Sequence, residues 1–129
     1  MAQYLMNGTI MASRPMSLNV PVLDEYISAF ADRNLSRCVG LYAPGAILEF
    51  GGTFCRDAAC IERWHVERFA ANLALLRIDN VQIDGDEISI EGAVVSDRLK
   101  TWGVPAIMGR ARFIIRDGKI AEARFGLHD

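Results

Sequence analysis

The spacing of apolar residues changes once along this chain, between about residues 76 and 81, and that change limits what the chain can fold into. Before it, Val22, Leu23, Tyr26, Ile27 and Phe30 recur at intervals of three and four, as do Ile61, Trp64, His65, Arg68, Phe69, Asn72, Leu73 and Leu76. That is the spacing of one face of a helix. After it the period is two: Ile88, Ile90, Gly92 and Val94 share one side of a strand. Helices come first and strands follow, which predicts an α+β fold with helices on one face of a curved, mostly antiparallel sheet.

Local signals divide the chain further. Pro21 sits in the first turn of a first helix, with Asn19 as its expected cap. Asp32-Arg33-Asn34 breaks that helix, and Leu35, Cys38, Val39, Leu41 and Tyr42 predict a short second one, ended by Ala43-Pro44-Gly45. Residues 46–50 read as a strand closed by Gly51-Gly52, and a long third helix is expected from Asp57 to about Leu76. Four strands follow, over residues 81–84, 87–97, 104–116 and 119–128. Gly85-Asp86 and Asp117-Gly118 supply tight turns between them.

With 129 residues the chain makes one domain, expected over residues 21–129. Residues 1–20 read as an N-terminal extension holding four of the five methionines, Met1, Met6, Met11 and Met16. Fourteen basic residues against sixteen acidic ones, a net charge of −2, lack the basic excess of a nucleic-acid binder. No apolar run approaches the roughly 18 residues of a membrane span. Yet 51% of residues are apolar, and that excess implies an enclosed pocket, a subunit interface or both. Cys38, Cys55 and Cys60 are odd in number and lack CxxC spacing, so they read as idle thiols of a cytoplasmic protein. A Cys55–Cys60 pair across a strand-to-helix junction can in principle meet. His65 and His128 show no ligand spacing with the thiols, so no metal is implied.

Three stretches carry a family likeness. Residues 26–43, from Tyr26 through Asp32 to Leu41-Tyr42-Ala43, followed by Ala46-Ile47-Leu48-Glu49, resemble the helix, polar break and first strand of the NTF2-like superfamily. Arg56-Asp57-Ala58 is similar to that superfamily's opening of the long helix, with Cys55 where glycine is usual, and Asp117-Gly118-Lys119-Ile120 resembles its last hairpin. The SnoaL-like and ketosteroid-isomerase-like branches are the nearest in pattern. The resemblance implies a cone in which three helices pack on the sheet around an apolar pocket. It also implies a homodimer, with Met108 on the outer sheet face, and no cofactor.

The catalytic patterns of the superfamily match only in part. Tyr26 falls where ketosteroid isomerases place an enolate hydrogen-bond donor, but Phe50 stands at the general base, and no carboxylate lies near residues 109–111. In the aspartate–arginine–aspartate set of limonene-epoxide hydrolases, the arginine and one aspartate fall on Gly92 and Val94, and the last aspartate on Phe125. Asp32 stands where dehydratases carry an aspartate, while the partner histidine position falls near Ala71, about two turns beyond His65.

The candidate catalytic residues are therefore His65 as base, Tyr26 as hydrogen-bond donor and Asp32 as its assistant, for cofactor-free isomerase, dehydratase or cyclase chemistry. Phe50, Trp64, Phe69, Val94, Ile107, Phe113 and Phe125 are expected to line the pocket around an apolar small molecule, with Trp102 in a lid loop. Asp97 and Arg98 read as a surface ion pair, and Glu49, Glu91, Arg110 and Arg112 as outer-face residues. The alternative function is a non-catalytic ligand-binding or dimerisation module. In it Tyr26 and His65 would be satisfied by protein groups alone.

Overall fold

Proline costs nothing in a helix's first turn, where its missing N–H has no partner to lose. In the computed structural model, which describes residues 17–127, helix α1 (Pro21–Ala31) starts there. Asn19 is not its cap. It has a φ of 60°, and Val20 occupies the cap position without a side-chain bond. The Asp24 carboxylate reaches back instead, accepting from the Leu18 N–H at 2.6 Å and the Ser17 hydroxyl at 3.3 Å. Leu18, expected in the extension, thereby joins the core. The four clustered methionines and His128 lie outside the described residues.

Helix α2 (Leu35–Gly40) is capped by Asn34, whose side chain accepts from the Arg37 N–H at 3.2 Å. Strand β1 (Tyr42–Phe50) begins four residues earlier than expected. Pro44 and Gly45 lie inside it, at a register shift between Tyr42 and Ile47 where ladder bonds are interrupted and proline is tolerated. Gly51-Gly52 then turns the chain into β2 (Thr53–Cys55), a strand too short to give a period of its own.

Cys55 and Cys60 are not idle thiols. Asp57 caps α3 (Ala58–Ala70) by accepting from the Cys60 N–H at 2.8 Å. That tight turn sets the two Cα atoms 5.3 Å apart, and the cysteines form a disulfide. A bond of this kind persists where conditions are oxidising, so these two residues give no reason to expect a reducing compartment. Cys38 is the free cysteine among the described residues, and burial pushes its thiol up to about 11.

Helix α3 stops six residues short of Leu76. Asn72 adopts a left-handed backbone, φ 53°, and the Leu73 N–H closes the end on the Arg68 carbonyl. The chain then enters β3 (Ala74–Asp84), eleven residues where the sequence predicts four. Two register shifts against β4 (Glu87–Val95) break the alternation of β3 and hide it from a period count. Gly92 permits one of them: a Cβ there would lie 2.3 Å from the Arg77 carbonyl oxygen. A short α4 (Asp97–Thr101), capped by Ser96, replaces the end of the expected strand. Asp117-Gly118, with φ of 52° and 73°, makes the expected hairpin between β5 (Ile107–Arg116) and β6 (Lys119–Leu127).

The sheet order is β2-β1-β6-β5-β4-β3, with every neighbour pair antiparallel except β1 and β6. It is curved and unclosed, as expected for an α+β cone. Leu23, Ala29, Cys38, Leu48, Ile120 and Ala123 are buried between helices and sheet. The opposite face carries charge pairs such as Arg110–Glu91, Arg112–Glu87 and Arg124–Glu49, as expected for that surface. Exposed pairs of this kind stabilise little. Among the described residues no helix is long and apolar enough to cross a membrane.

Candidate functional site

Three elements bring one polar cluster into this apolar interior. Tyr26 lies on the buried face of α1, Tyr42 opens β1, and His65 follows Ile61 by one turn on α3. The Tyr26 hydroxyl is 2.8 Å from the Tyr42 hydroxyl and 2.6 Å from His65 Nε2. His65 Nδ1 is 2.7 Å from the Ile61 carbonyl oxygen.

The partners fix the protons. A carbonyl can only accept, so Nδ1 carries the hydrogen, and in a neutral ring Nε2 is then the acceptor. Tyr26 must donate to Nε2, which leaves its oxygen to accept from Tyr42. The chain runs Tyr42 to Tyr26 to His65 to the Ile61 carbonyl. Burial drives it toward neutrality throughout. It raises Tyr26 far above the ordinary tyrosine value, with the neighbouring Tyr42 adding to the shift, and it raises Tyr42 as well. Burial also lowers His65, helped by the Arg68 charge and opposed by the bond to Ile61.

The rings around the chain close it off. Phe30 and Phe113 meet the Tyr26 ring edge-on at 6.2 and 6.0 Å, and Phe69 lies 6.2 Å from His65. His65 has no exposed surface and Tyr26 only 4%.

The third expected catalytic residue is elsewhere. Asp32 caps the end of α1 on the surface, where its carboxylate accepts from Arg37 Nη1 at 3.0 Å. The expected pocket wall is likewise divided. Phe69 and Phe113 pack around the polar chain, and Phe125 stacks flat on Trp64 at 4.8 Å and 15°. Val94 and Ile107 are half-buried partners on β4 and β5. Trp102 is 67% exposed, with the Arg98 guanidinium 5.9 Å from its ring. Asp97 does not pair with Arg98; its carboxylate accepts from Asn72 Nδ2 at 2.8 Å.

Two open clefts flank α3. One, of about 200 Å³, is lined by Val39, Tyr42, Pro44, Asp57 and Ile61 among others. The second, of about 210 Å³, lies between the β1–β2 hairpin and α3 and is lined by Leu48, Phe50, Thr53, Cys55, Trp64, Glu67 and Arg68. Neither is lined by Tyr26 or His65. Phe50, expected to face an interior, is 41% exposed at the second cleft. Among the described residues no three His, Cys, Asp or Glu side chains group to hold a metal ion.

Two contributors escaped sequence reasoning. Tyr42 stood in the stretch resembling the family's leucine–aromatic–alanine segment, but its residue type pointed to no role. Arg68 was placed on the inward face of α3, one turn after Trp64, and that spacing was its signal. Its guanidinium carbon lies 4.7 Å from the Phe50 ring and 5.2 Å from the Trp64 ring.

No family model and no curated relative matches the sequence. Solved structures do match. One, provisionally named a polyketide cyclase, from Sinorhizobium meliloti, superposes with a TM-score of 0.73 at 22% identity, covering 87% of this chain and 98% of that one. A protein with a ketosteroid isomerase-like fold from Catenulispora acidiphila gives 0.66 at 17% identity, covering 81% and 82%. An NTF2-like protein of unknown function from Cytophaga hutchinsonii gives 0.65 at 9% identity, covering 83% and 87%. Likeness at these identities is likeness of fold, and fold alone does not fix function. The chain has the NTF2-like cone fold shared by the SnoaL-like and ketosteroid-isomerase-like proteins.

Proposed function

We propose that this protein is a small-molecule-binding module, which holds an apolar ligand in the cleft between the β1–β2 hairpin and α3, and that the Tyr42–Tyr26–His65 chain is its scaffold. One observation carries this reading. Each polar atom of the chain already has a protein partner, and His65 is fully buried. A substrate would find no vacant donor there, because both hydroxyls and the Nδ1 hydrogen are already given to protein acceptors. The cleft offers the opposite: the half-exposed Phe50 ring beside Trp64 and Leu48 is apolar surface open to a ligand.

The second reading, acid–base catalysis by Tyr26 and His65, draws on their 2.6 Å bond. It requires that bond to open toward a substrate.

Calorimetric titration with 2-naphthylmethanol, a neutral apolar probe, separates the two. Saturable one-to-one binding is expected, kept in Tyr26→Phe and lost in Phe50→Asp, whose exposed site tolerates the charge. Binding lost in Tyr26→Phe but kept in Phe50→Asp would place the ligand at the buried chain. No saturable binding in the parent protein would overturn the binding reading itself.

A further inference from the structure

We infer that the natural ligand of this cleft is an apolar monocarboxylate, recognised by Arg68 and by the indole N–H of Trp64; this rests on the cleft being the binding site. Arg68 is the cleft's cation. Its side chain is only 20% exposed, and its guanidinium lies against both the Phe50 and Trp64 rings. Among the described residues its one hydrogen bond is to Glu67 Oε1 at 3.3 Å, on the adjacent residue of the same helix. Consecutive helical residues do not face each other, and the Glu67 side chain is 63% exposed, so that pair is weak. A guanidinium packed against two rings, with most of its donors unused among the described residues, is suited to a planar, two-oxygen acceptor.

Trp64 supplies the independent observation. Trp64 lines the same cleft and is 8% exposed, and its Nε1 is the buried side-chain polar atom without a partner among the described residues. A buried donor without an acceptor is costly, and an acceptor brought by a ligand would remove that cost. A neutral hydrocarbon satisfies neither group. A cation would meet Arg68 with like charge, and a dianion would meet one cation with the Glu67 carboxylate at the rim. A single carboxylate on a flat apolar body fits both polar groups. The body would lie against Phe50 and Leu48.

The test compares 2-naphthoate with 2-naphthylmethanol, which share a ring system and differ in charge. Calorimetry should show naphthoate binding about tenfold tighter or more, as a charge-assisted bond implies. Arg68→Met should abolish that preference, so that the two probes bind the variant with affinities within about twofold of each other. Arg68→Lys, which keeps the charge but not the fork, should retain part of it and serves if the methionine variant does not fold. In a Trp102→Phe background, the remaining indole N–H resonance of Trp64 should move downfield with naphthoate only. Equal affinity for the two probes, or a preference that survives Arg68→Met, would overturn the carboxylate inference and leave the cleft as the site. Failure of both probes to bind would instead overturn the cleft.

Discussion

His65→Leu is expected to lower the unfolding free energy by about 3 kcal/mol, measured by urea denaturation. Leucine fills much of the space of the imidazole but cannot accept from the Tyr26 hydroxyl 2.6 Å from Nε2. That hydroxyl, in a residue only 4% exposed, would lose its acceptor with no water to replace it. An unpaired buried donor costs about 1–3 kcal/mol, and imperfect filling among Phe30, Phe69 and Tyr42 adds to it. Adding Tyr26→Phe removes the stranded hydroxyl, so the double variant should cost less than the sum of the singles by about 1 kcal/mol. Additive effects, or a stabilising His65→Leu, would show that the histidine is not held as described.

The second large effect belongs to the disulfide. Cys55 and Cys60 are five positions apart, and closing so short a loop in the unfolded chain is worth about 2 kcal/mol on the chain-entropy model. Reductant should therefore lower the stability by about that amount, read from urea midpoints with and without it. Without reductant, the unfolded protein should show one reactive thiol, from Cys38, rather than three. Cys55 also lines the cleft, and β2 is otherwise tied to the sheet by three pairs with β1. Identical midpoints and three free thiols would contradict the bond.

The fold was legible because its largest signals are local. Helical spacing marked α1 and α3, alternation marked β4, and Asp117-Gly118 marked the last hairpin. The errors have equally physical causes. Leu73 and Leu76 continue the spacing of α3 by coincidence, while Asn72 ends the helix through its left-handed backbone, which a hydrophobic count does not register. Strand β3 was shortened because two register shifts break its alternation. Strand β2 and helix α4 are three and five residues long, shorter than any window that reports a period.

The site divides along the same line. Tyr26 and His65 were legible because both sit on the inward stripes of helices, and inward stripes converge. Asp32 lies just past the end of its helix, where no stripe predicts direction, and Arg37 on α2 captures it at the surface. Tyr42 joins the cluster through the pairing of β1 with β6, in which it faces Ile120, a long-range contact invisible to local spacing. The interior space implied by the apolar excess is occupied at the polar chain by aromatic rings of this same chain. Sequence composition cannot distinguish a lined pocket from a filled one.

The most direct test is the protonation of His65, followed by ¹⁵N NMR of the ring in a His128→Gln variant, which leaves one histidine. Burial places the folded-state value below the ordinary 6.5. As pH falls, the unfolded chain therefore takes up the proton first. The stability held above about pH 6.5 should be lost as pH drops from there toward the lower folded value, by up to about 1.4 kcal/mol per unit. A closed scaffold predicts a ring that is neutral at about pH 7.5 with the proton on Nδ1, and a titration displaced below 6.5. A titration centred near 6.5, with both nitrogens moving together, would mean that His65 is open to solvent and free for acid–base work, and would contradict the account.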